Sequence, residues 1–293
     1  MFPTLKTRDW FHPDGFPIAV ERRDPQAPFG AHRHEFSEIV IIVGGRGWHV
    51  VGKESWPLMA GDVFVIGGPR AHEYRELADL RLINILFQPE KLRLEIADLP
   101  SLPGFHALFK LEPAWRKRHQ FKSRLRLSPK ELAVVIEFVD ELDAELKARA
   151  AGFGFVATAW FMQIVGYLAR CYSRTRNRDS RALLRIAEAI THLELHFEEP
   201  INLDAMAATA QMSKRSFLRA FHAAMGISPI AHLIRLRVNR AATLLRQSDD
   251  GITDIAFRVG YSDSNYFTRQ FVKALGVSPR EYRRRHARPA APS

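Results

Sequence analysis

Phe217-Leu218-Arg219-Ala220-Phe221 returns as Phe267-Thr268-Arg269-Gln270-Phe271, and this repeat decides how the C-terminal half of the chain folds. A glycine and then Ser-Pro follow both segments, first at Gly226 and Ser228-Pro229 and again at Gly276 and Ser278-Pro279. So many matches at one spacing are hard to obtain by chance. The sequence therefore predicts that one structural unit occurs twice.

The sequence of each copy indicates a short helix, a tight turn and a second helix, which is the arrangement of a helix-turn-helix unit. In the first copy, Leu203–Ala210 precedes a turn, and Ser213 is predicted to cap the next helix. In the second copy, Ile252–Val259 precedes the turn, and the next helix is predicted to begin at Ser262 or Asp263. The two phenylalanines of each second helix lie one turn apart and are predicted to face the core.

The polar positions between these phenylalanines must face outward. Arginine can bind guanine through two hydrogen bonds, asparagine can bind adenine, and an apolar side chain can contact the thymine methyl group. Each position has the alternative of an ordinary solvated place on a helix. We predict DNA contacts, to bases or to phosphates, for the following set: Lys214, Arg215, Leu218, Arg219, Ser264, Asn265, Thr268, Arg269 and Lys273.

The positive charge of the chain is concentrated in the same region. The formal net charge is +11, and residues 181–293 carry 17 basic side chains against 10 acidic ones. Of the basic residues there, 15 are arginine, whose planar fork suits phosphate and guanine better than lysine does. A polyanion partner is predicted, with a solvated basic face or a protein-interaction module as the alternatives.

One continuous helix is predicted between the two units, over Pro229–Arg246, since this segment has no internal glycine or proline. A helix of this length spans roughly 27 Å. With the width of the units that it joins, two recognition helices would lie about 34 Å apart, the spacing of successive major grooves on one face of B-DNA. A single chain would then contact both grooves.

The N-terminal third has the pattern of a β domain. Short strands are predicted at Glu38–Val43, Trp48–Val51 and Asp62–Ile66, with glycine-rich turns between them. Many short strands at close spacing favour a small antiparallel barrel or sandwich.

Two helices are predicted between the β domain and the repeat. Apolar residues recur at three and four positions from Ser128-Pro129 to Arg149, which predicts an amphipathic helix. An apolar helix is predicted at about Phe155–Tyr172, followed by a linker at Ser173–Ser180. The uncharged stretch Gly152–Ala169 reaches the lower length limit of a membrane span, but its glycines and polar residues favour a buried helix.

The second unit contains three informative stretches: Ile255-Ala256-Phe257-Arg258-Val259-Gly260-Tyr261-Ser262-Asp263, Tyr266-Phe267-Thr268-Arg269-Gln270-Phe271 and Gly276-Val277-Ser278-Pro279-Arg280-Glu281-Tyr282-Arg283. Through them, residues 181–285 resemble the DNA-binding domain of the AraC/XylS family of bacterial regulators. The first unit departs from that family at Gln211, where glycine is common, and at Leu218, where a polar residue is frequent. The resemblance implies DNA binding and a small-molecule effector such as a sugar.

His32, His34 and Glu38 would project from one face of a continuous extended strand. With His72, Gly45, Gly61 and Pro69 they resemble the two motifs of cupin barrels, over about residues 16–98. In cupins, three histidines and a glutamate hold a metal, so the resemblance implies a divalent metal at His32, His34, Glu38 and His72. Alternatively, these four line an effector pocket with apolar walls, or one or two of them pack in the core. The predicted apolar walls are Trp48, Phe64 and Tyr74.

The predicted fold class is a multi-domain α and β protein. A cupin-like sensing β-barrel is predicted at 1–110 and a helical hairpin, acting as linker and dimerisation region, at 111–180. An all-α domain with two helix-turn-helix units is predicted at 181–287, followed by a disordered tail at 288–293.

The predicted function is an effector-responsive transcription activator that binds promoter DNA and RNA polymerase as a homodimer, with no membrane partner. The alternative is a metal-dependent cupin enzyme with an accessory helical domain. Paired carboxylates, a nucleophile elbow and a phosphate-binding glycine loop are not evident in the sequence. The lone Cys171 and the lack of a secretory leader pattern in Met1–Pro17 favour the cytoplasm.

Overall fold

The computed structural model describes residues 2–68, 70–92, 98–115 and 124–286. The chain divides into two compact units, 1–187 and 188–293, so the predicted middle region 111–180 falls within the first of them. Pro69, named above in the resemblance to cupin motifs, and the predicted tail at 288–293 lie outside the described residues.

Among the described residues, the first unit contains eight strands, numbered in chain order: β1 (Thr4–Leu5), β2 (Ile18–Arg23), β3 (Arg33–His34), β4 (Ser37–Val51), β5 (Glu54–Met59), β6 (Asp62–Ile66), β7 (Glu73–Phe87) and β8 (Leu125–Arg126). Six of them form an antiparallel sheet in the order β2-β7-β4-β6-β8, with β5 also paired to β4. Strands β1 and β3 pair in parallel. The predicted strand Asp62–Ile66 is confirmed.

The predicted break between Glu38–Val43 and Trp48–Val51 is wrong, because β4 runs through the glycine-rich segment without interruption. Its register against β7 shifts three times between Ile42 and Trp48. Gly45 has a φ of +68°, and a Cβ on it would lie 1.8 Å from the Asp79 backbone oxygen. These glycines therefore form β-bulges that bend one long strand instead of ending it.

The helical elements of the first unit begin with α1 (Thr7–Trp10). A 3-10 turn at Leu99–Ser101 then leads into a run of short segments: α2 (Pro103–Phe105), a π-helix at His106–Leu111 and α3 (Glu112–Trp115). Two long helices follow, α4 (Pro129–Ala148) and α5 (Phe153–Ser173). No helix of the described residues has the length and apolar character needed to cross a membrane.

The long helices lie close to their predicted positions. Ser128 caps α4 in a capping box with Glu131: each side chain accepts a hydrogen bond from the other residue's backbone N–H. Helix α5 starts two residues earlier than predicted, directly after Gly152. The segment between α5 and the next helix is short, and comprises residues 174–177.

Helix α6 (Arg178–Leu195) precedes the two helix-turn-helix units. The first helix-turn-helix unit is made of α7 (Leu203–Thr209) and α8 (Lys214–Met225), and the second helix-turn-helix unit of α10 (Ile252–Arg258) and α11 (Ser264–Leu275). The predicted spacer between them is a single helix, α9 (Pro229–Gln247), and α12 (Pro279–His286) follows α11.

The internal repeat extends to the ends of the recognition helices. Ser213 caps α8 and Asp263 caps α11 through side-chain oxygens that accept backbone N–H groups. Gly226 and Gly276 end these helices at φ of +74° and +76°, a conformation that favours glycine. Both helices therefore begin and end by the same physical devices.

Candidate functional site

Helices α8 and α11 each bury one apolar face in the compact unit 188–293. Phe217, Phe221, Phe267 and Phe271 are all 0% exposed, which confirms their predicted place in the core. Within each pair the rings lie edge to face, with centroids 5.9 Å and 5.6 Å apart. Burial of these large rings holds each recognition helix in one rotational setting, so its opposite face is presented outward.

The predicted DNA-contacting side chains lie on these outer faces to different degrees. Leu218, Ser264 and Thr268 are half-buried, and the Thr268 hydroxyl donates to the Ser264 backbone oxygen at 2.9 Å. The remaining six are exposed: Lys214, Arg215, Arg219, Asn265, Arg269 and Lys273.

The exposed cations differ in their surroundings. Lys214 Nζ lies 2.9 Å from Asp204 Oδ2 of α7, and this pair is solvent-exposed. In the part of the chain that the structure describes, Arg215 and Arg219 have no ion-pair partner. The Arg269 guanidinium lies 5.8 Å from the ring centre of Tyr266, a 40% exposed aromatic that was not predicted as a contact residue. Tyr266 directly precedes the buried Phe267, and this outward position in the sequence could have indicated a contact residue.

A cavity of about 380 Å³ in residues 1–187 is lined by parts of β2, β4 and β7. Its size falls within the range of small-molecule sites. Its apolar part includes Leu5, Trp10, Phe29, Phe36, Tyr74 and Leu86, and its polar part includes Glu21, Arg23, His32, Glu38, His72 and Asn84.

Two polar residues of this lining come from adjacent strands. Glu21 of β2 is paired directly with Asn84 of β7, so their side chains share one face of the sheet. Arg23 lies two residues along β2, 3.1 Å from the Glu21 carboxylate and 5.6 Å from the Trp10 ring centre. Asn84 Oδ1 is buried and has no hydrogen-bond partner among the described residues.

Two of the predicted apolar walls are not part of this cavity lining. Trp48 is 37% exposed, and Phe64 is fully buried with its ring stacked on His49 at 4.9 Å. The bulges of β4 shift the alternation of side chains beyond Ile42, so His49 faces inward and Trp48 outward. Tyr74, the third predicted wall, does line the cavity.

Beside the cavity, His34, Glu38 and His72 form a buried cluster whose ligand atoms all lie within 4.8 Å of one another. The Nε2 atoms of His34 and His72 lie 3.5 Å and 3.3 Å from Glu38 Oε1. Their Nδ1 atoms face backbone oxygens, at 2.6 Å from Phe36 and 3.4 Å from Arg70. His32, predicted with them, lies outside this group of three, its ring 4.4 Å from that of His72.

In this cluster both imidazole Nε2 atoms face a single carboxylate oxygen, Glu38 Oε1. Since Nδ1 donates to a carbonyl, Nε2 of a neutral ring is an acceptor and would face the acceptor oxygen of Glu38. Burial opposes ionisation of both partners, but contact with Glu38 raises the pKa of His34 above its ordinary value. Contact with His34 and His72 holds the pKa of Glu38 well below its ordinary range. A proton on the His34 imidazole or a metal ion would supply the missing partner of Glu38 Oε1.

Two family models match separate parts of the chain. Residues 17–149 match the AraC-like ligand binding domain, and residues 206–285 match a helix-turn-helix domain. The chain is 32% identical over 281 residues to the HTH-type transcriptional activator RhaR of Mannheimia succiniciproducens, covering 96% of both chains. It is 31% identical over 280 residues to the HTH-type transcriptional activator RhaS of Escherichia fergusonii, covering 95% of this chain and 96% of the other. The chain belongs to the AraC family of transcriptional regulators.

Among solved structures, this AraC-family regulator is similar to a transcriptional regulator with an AraC-type DNA-binding domain from Chromobacterium violaceum. The two are 31% identical, the match covers 36% of this chain and 95% of the other, and the TM-score is 0.34.

Membership of the AraC family decides between the functions considered for this chain. It is a DNA-binding transcription regulator related to activators over nearly its whole length, which confirms the predicted DNA-binding regulator and sets aside the enzyme alternative. The match at 206–285 contains α8 and α11, and the match at 17–149 contains every strand from β2 to β8.

The sequence analysis missed several cavity residues of this AraC-family regulator. Trp10, Glu21 and Arg23 belong to segments whose charge or position suggested exposure. Asn84 did carry a signal, because it is the one polar residue within Leu82-Ile83-Asn84-Ile85-Leu86. A lone amide in an inward-facing strand position indicates a ligand or a polar network.

Proposed function

We propose that this AraC-family protein is an effector-responsive activator. A sugar or a similar polyhydroxylated molecule binds in the cavity beside β2 and β7, and promoter DNA binds along α8 and α11. The observation that carries the effector is the buried amide oxygen of Asn84, which lacks a protein partner among the described residues and lies in the cavity wall.

The chemistry of the cavity suits a sugar. Hydroxyl groups donate and accept, so they match a wall that has carboxylate oxygens at Glu21, N–H groups at Arg23 and both functions at Asn84. The apolar face of a sugar ring packs on aromatic side chains, and Trp10 and Tyr74 supply them. A wholly apolar ligand would leave the buried amide oxygen of Asn84 without a partner, at a cost of about 1–3 kcal/mol.

Calorimetry of the full-length protein with a panel of monosaccharides, sugar alcohols and matched aliphatic acids tests this proposal. We expect one group of sugars to bind and the Asn84→Leu variant to lose at least about tenfold in affinity. Thermal unfolding of the unliganded variant checks that its fold is retained. Tight binding of an apolar acid, with sugars inert, would contradict the sugar proposal.

The two recognition helices are proposed to enter successive major grooves of one duplex. The spacer α9 has 19 residues, or roughly 28 Å of helix. Base contacts are proposed for Arg215, Arg219, Asn265 and Arg269, and a phosphate contact for Lys273. Contact with RNA polymerase would follow from activation.

A homodimer is proposed through α4 and α5. Phe155 of α5 is 82% exposed and lies beside the exposed Val156, and a ring so exposed is stabilised when another apolar surface covers it. A second copy would present the same surface, as a two-fold interface requires. Sedimentation of the full-length protein is expected to show a dimer, and Phe155→Glu a monomer. Lys53→Glu, an exposed charge reversal in the turn between β4 and β5, is the control; an unchanged dimer in Phe155→Glu would contradict this interface.

The donor set of His34, Glu38 and His72 also fits a divalent transition metal, which histidine nitrogens and a carboxylate commonly hold. A bound metal would offer a coordination position to an effector oxygen. Elemental analysis of dialysed protein distinguishes this arrangement from the protonated network: metal near one equivalent that is lost in His72→Ala supports a metal, and a metal-free wild type supports the network.

A further inference from the structure

Arg237 of α9 holds the segment that leads into the first helix-turn-helix unit. Its Nε donates to the backbone oxygen of Phe197 at 2.6 Å, and its Nη2 donates to that of Glu199 at 2.8 Å. Two hydrogen bonds from one rigid guanidinium fix both the position and the direction of this segment.

The same guanidinium also contacts the turn of the second helix-turn-helix unit. It lies 5.5 Å from the ring centre of Tyr261, which is 5% exposed and belongs to the core of that unit. Part of the Arg237 guanidinium is withdrawn from water, and this burial lowers its pKa. A cation–π contact is stronger when the cation is withdrawn from water.

The segment that Arg237 holds is itself packed against the second turn. Phe197 packs on the core cluster that contains Tyr261 and Phe267. Gly260 has a φ of +90°, and a Cβ there would lie 2.3 Å from the Glu198 backbone oxygen. Residues 197–199, which lead into the first helix-turn-helix unit, therefore contact the Gly260-Tyr261 turn of the second helix-turn-helix unit. Arg237 is hydrogen-bonded to the first segment and lies over the Tyr261 ring of the second.

A helix fixes the distance between the units that it joins, but its ends leave rotation free. The C-terminal half of α9 belongs to the core of the second helix-turn-helix unit, through Val238, Ala241 and Leu245, so the rotation left to be fixed is that of the first helix-turn-helix unit about residues 226–228, before α9 begins. The contacts of Arg237 supply a second attachment away from the helix axis. Two attachments remove the rotation that one would allow.

We infer that Arg237 is a positioning residue that fixes the orientation of α11 relative to α8, and so determines which separation of DNA subsites the protein accepts. The inference rests on the proposed contact of both helices with one duplex. Lysine cannot replace this arginine, because a single ammonium group lacks the fork that binds two carbonyls while it stacks on a ring.

The test uses the duplex that the wild-type protein selects from a random library of about 30 base pairs, long enough for both subsites. Derivatives carry one or two base pairs inserted or deleted between the subsites, and another set keeps one subsite only. Wild-type affinity is expected to fall steeply when the separation changes. Arg237→Ala and Arg237→Lys are expected to lose about tenfold at the selected separation, to show a flatter profile, and to bind single subsites within about twofold of wild type.

Arg240→Ala is the matched control, since Arg240 is exposed and lies one turn along the same helix. It removes the same charge and is expected to leave the shape of the separation profile unchanged. An Arg237→Ala profile as steep as that of wild type would overturn the inference, as would an equal loss on single-subsite DNA. A wild-type protein indifferent to separation would instead overturn the proposed contact with both grooves, and the inference with it.

A distance measurement without DNA provides an independent readout. Spin labels at His222→Cys and Val272→Cys, exposed positions on α8 and α11, are introduced after Cys171→Ser. One narrow distance distribution is expected with Arg237 present and a broad one with Arg237→Ala. Arg237→Lys, which keeps the charge and the methylene stem, replaces the alanine variant if that does not fold. A narrow, unshifted distribution in the folded variant would overturn the inference.

Discussion

His232 Nε2 of α9 lies 3.0 Å from Glu194 Oε1 of α6, and both side chains are largely buried. Arg235 Nη2 lies 3.2 Å from His232 Nδ1 and can only donate to it, so the hydrogen bond to the carboxylate is donated by His232 Nε2. The ring also contacts Phe221 of α8 at 5.8 Å. This hydrogen bond therefore joins α6 to the spacer helix beside the first recognition helix.

Loss of the Glu194 carboxylate should destabilise the compact unit 188–293. Glu194→Ala leaves the buried Nε2–H of His232 without this acceptor, and we expect the free energy of unfolding to fall by about 2 kcal/mol. Chemical denaturation followed by circular dichroism measures it. Asp249→Ala, at an exposed position of the same unit, should change stability by less than about 0.5 kcal/mol. Equal effects of the two substitutions would show that the buried pair contributes nothing particular.

In the first unit, a buried carboxylate is held by two arginines. Asp62 Oδ1 lies 3.2 Å from Arg124 Nε and 2.9 Å from Arg126 Nε, and the Asp62 side chain is 0% exposed. Asp62→Ala should reduce the free energy of unfolding by about 3 kcal/mol, because it leaves the partly buried Arg124 without its counter-ion. Thermal unfolding is the measurement, with Glu54→Ala on the exposed edge of β5 as control. A melting temperature unchanged by Asp62→Ala would refute this role.

The Cys171 thiol should be unreactive in the folded protein. Burial raises its pKa to about 11, and the nearby Glu131 carboxylate acts in the same direction. Since the thiolate is the nucleophile, iodoacetamide at neutral pH should label the native chain far more slowly than the unfolded one. The folded pKa is raised, so the stability that the neutral thiol contributes is complete below pH 9 and is lost as pH rises towards 11. Similar labelling rates for folded and unfolded chains would disprove the burial argument.

Two arginines on the recognition helices should contribute directly to DNA specificity. Arg219→Ala and Arg269→Ala are each expected to cost about 1–3 kcal/mol of binding and to relax base preference at one position. Lys273→Ala should weaken binding to all sequences alike and reduce the dependence on salt. Competition binding with base-substituted duplexes measures these effects, and Arg170→Ala in the first unit is the control. Promoter binding untouched by the double substitution of Arg219 and Arg269 would remove α8 and α11 from the interface.

The helical half of the protein was largely predictable from its sequence. Ser213 and Asp263 cap the recognition helices where expected, and the spacer begins at Pro229 as predicted and ends one residue after Arg246. Helix ends depend on residues within one turn of each other, so the necessary information is local.

The cavity was much less predictable. Glu21 and Asn84 become neighbours only because β2 pairs with β7, and no local pattern specifies that pairing. Trp48, predicted as a pocket wall, is 37% exposed, because the bulges of β4 change the alternation that a straight strand would keep.

The sequence by itself determined the repeat, the caps and the buried phenylalanines of α8 and α11, because each depends on spacing along one segment. Only the tertiary structure decided that Glu38 meets His34 and His72 while His32 stays apart, and that Arg237 contacts both DNA-binding units. Apart from the neighbouring His34 and Glu38, those contacts join residues far apart in the chain, and their geometry follows from strand register and helix packing.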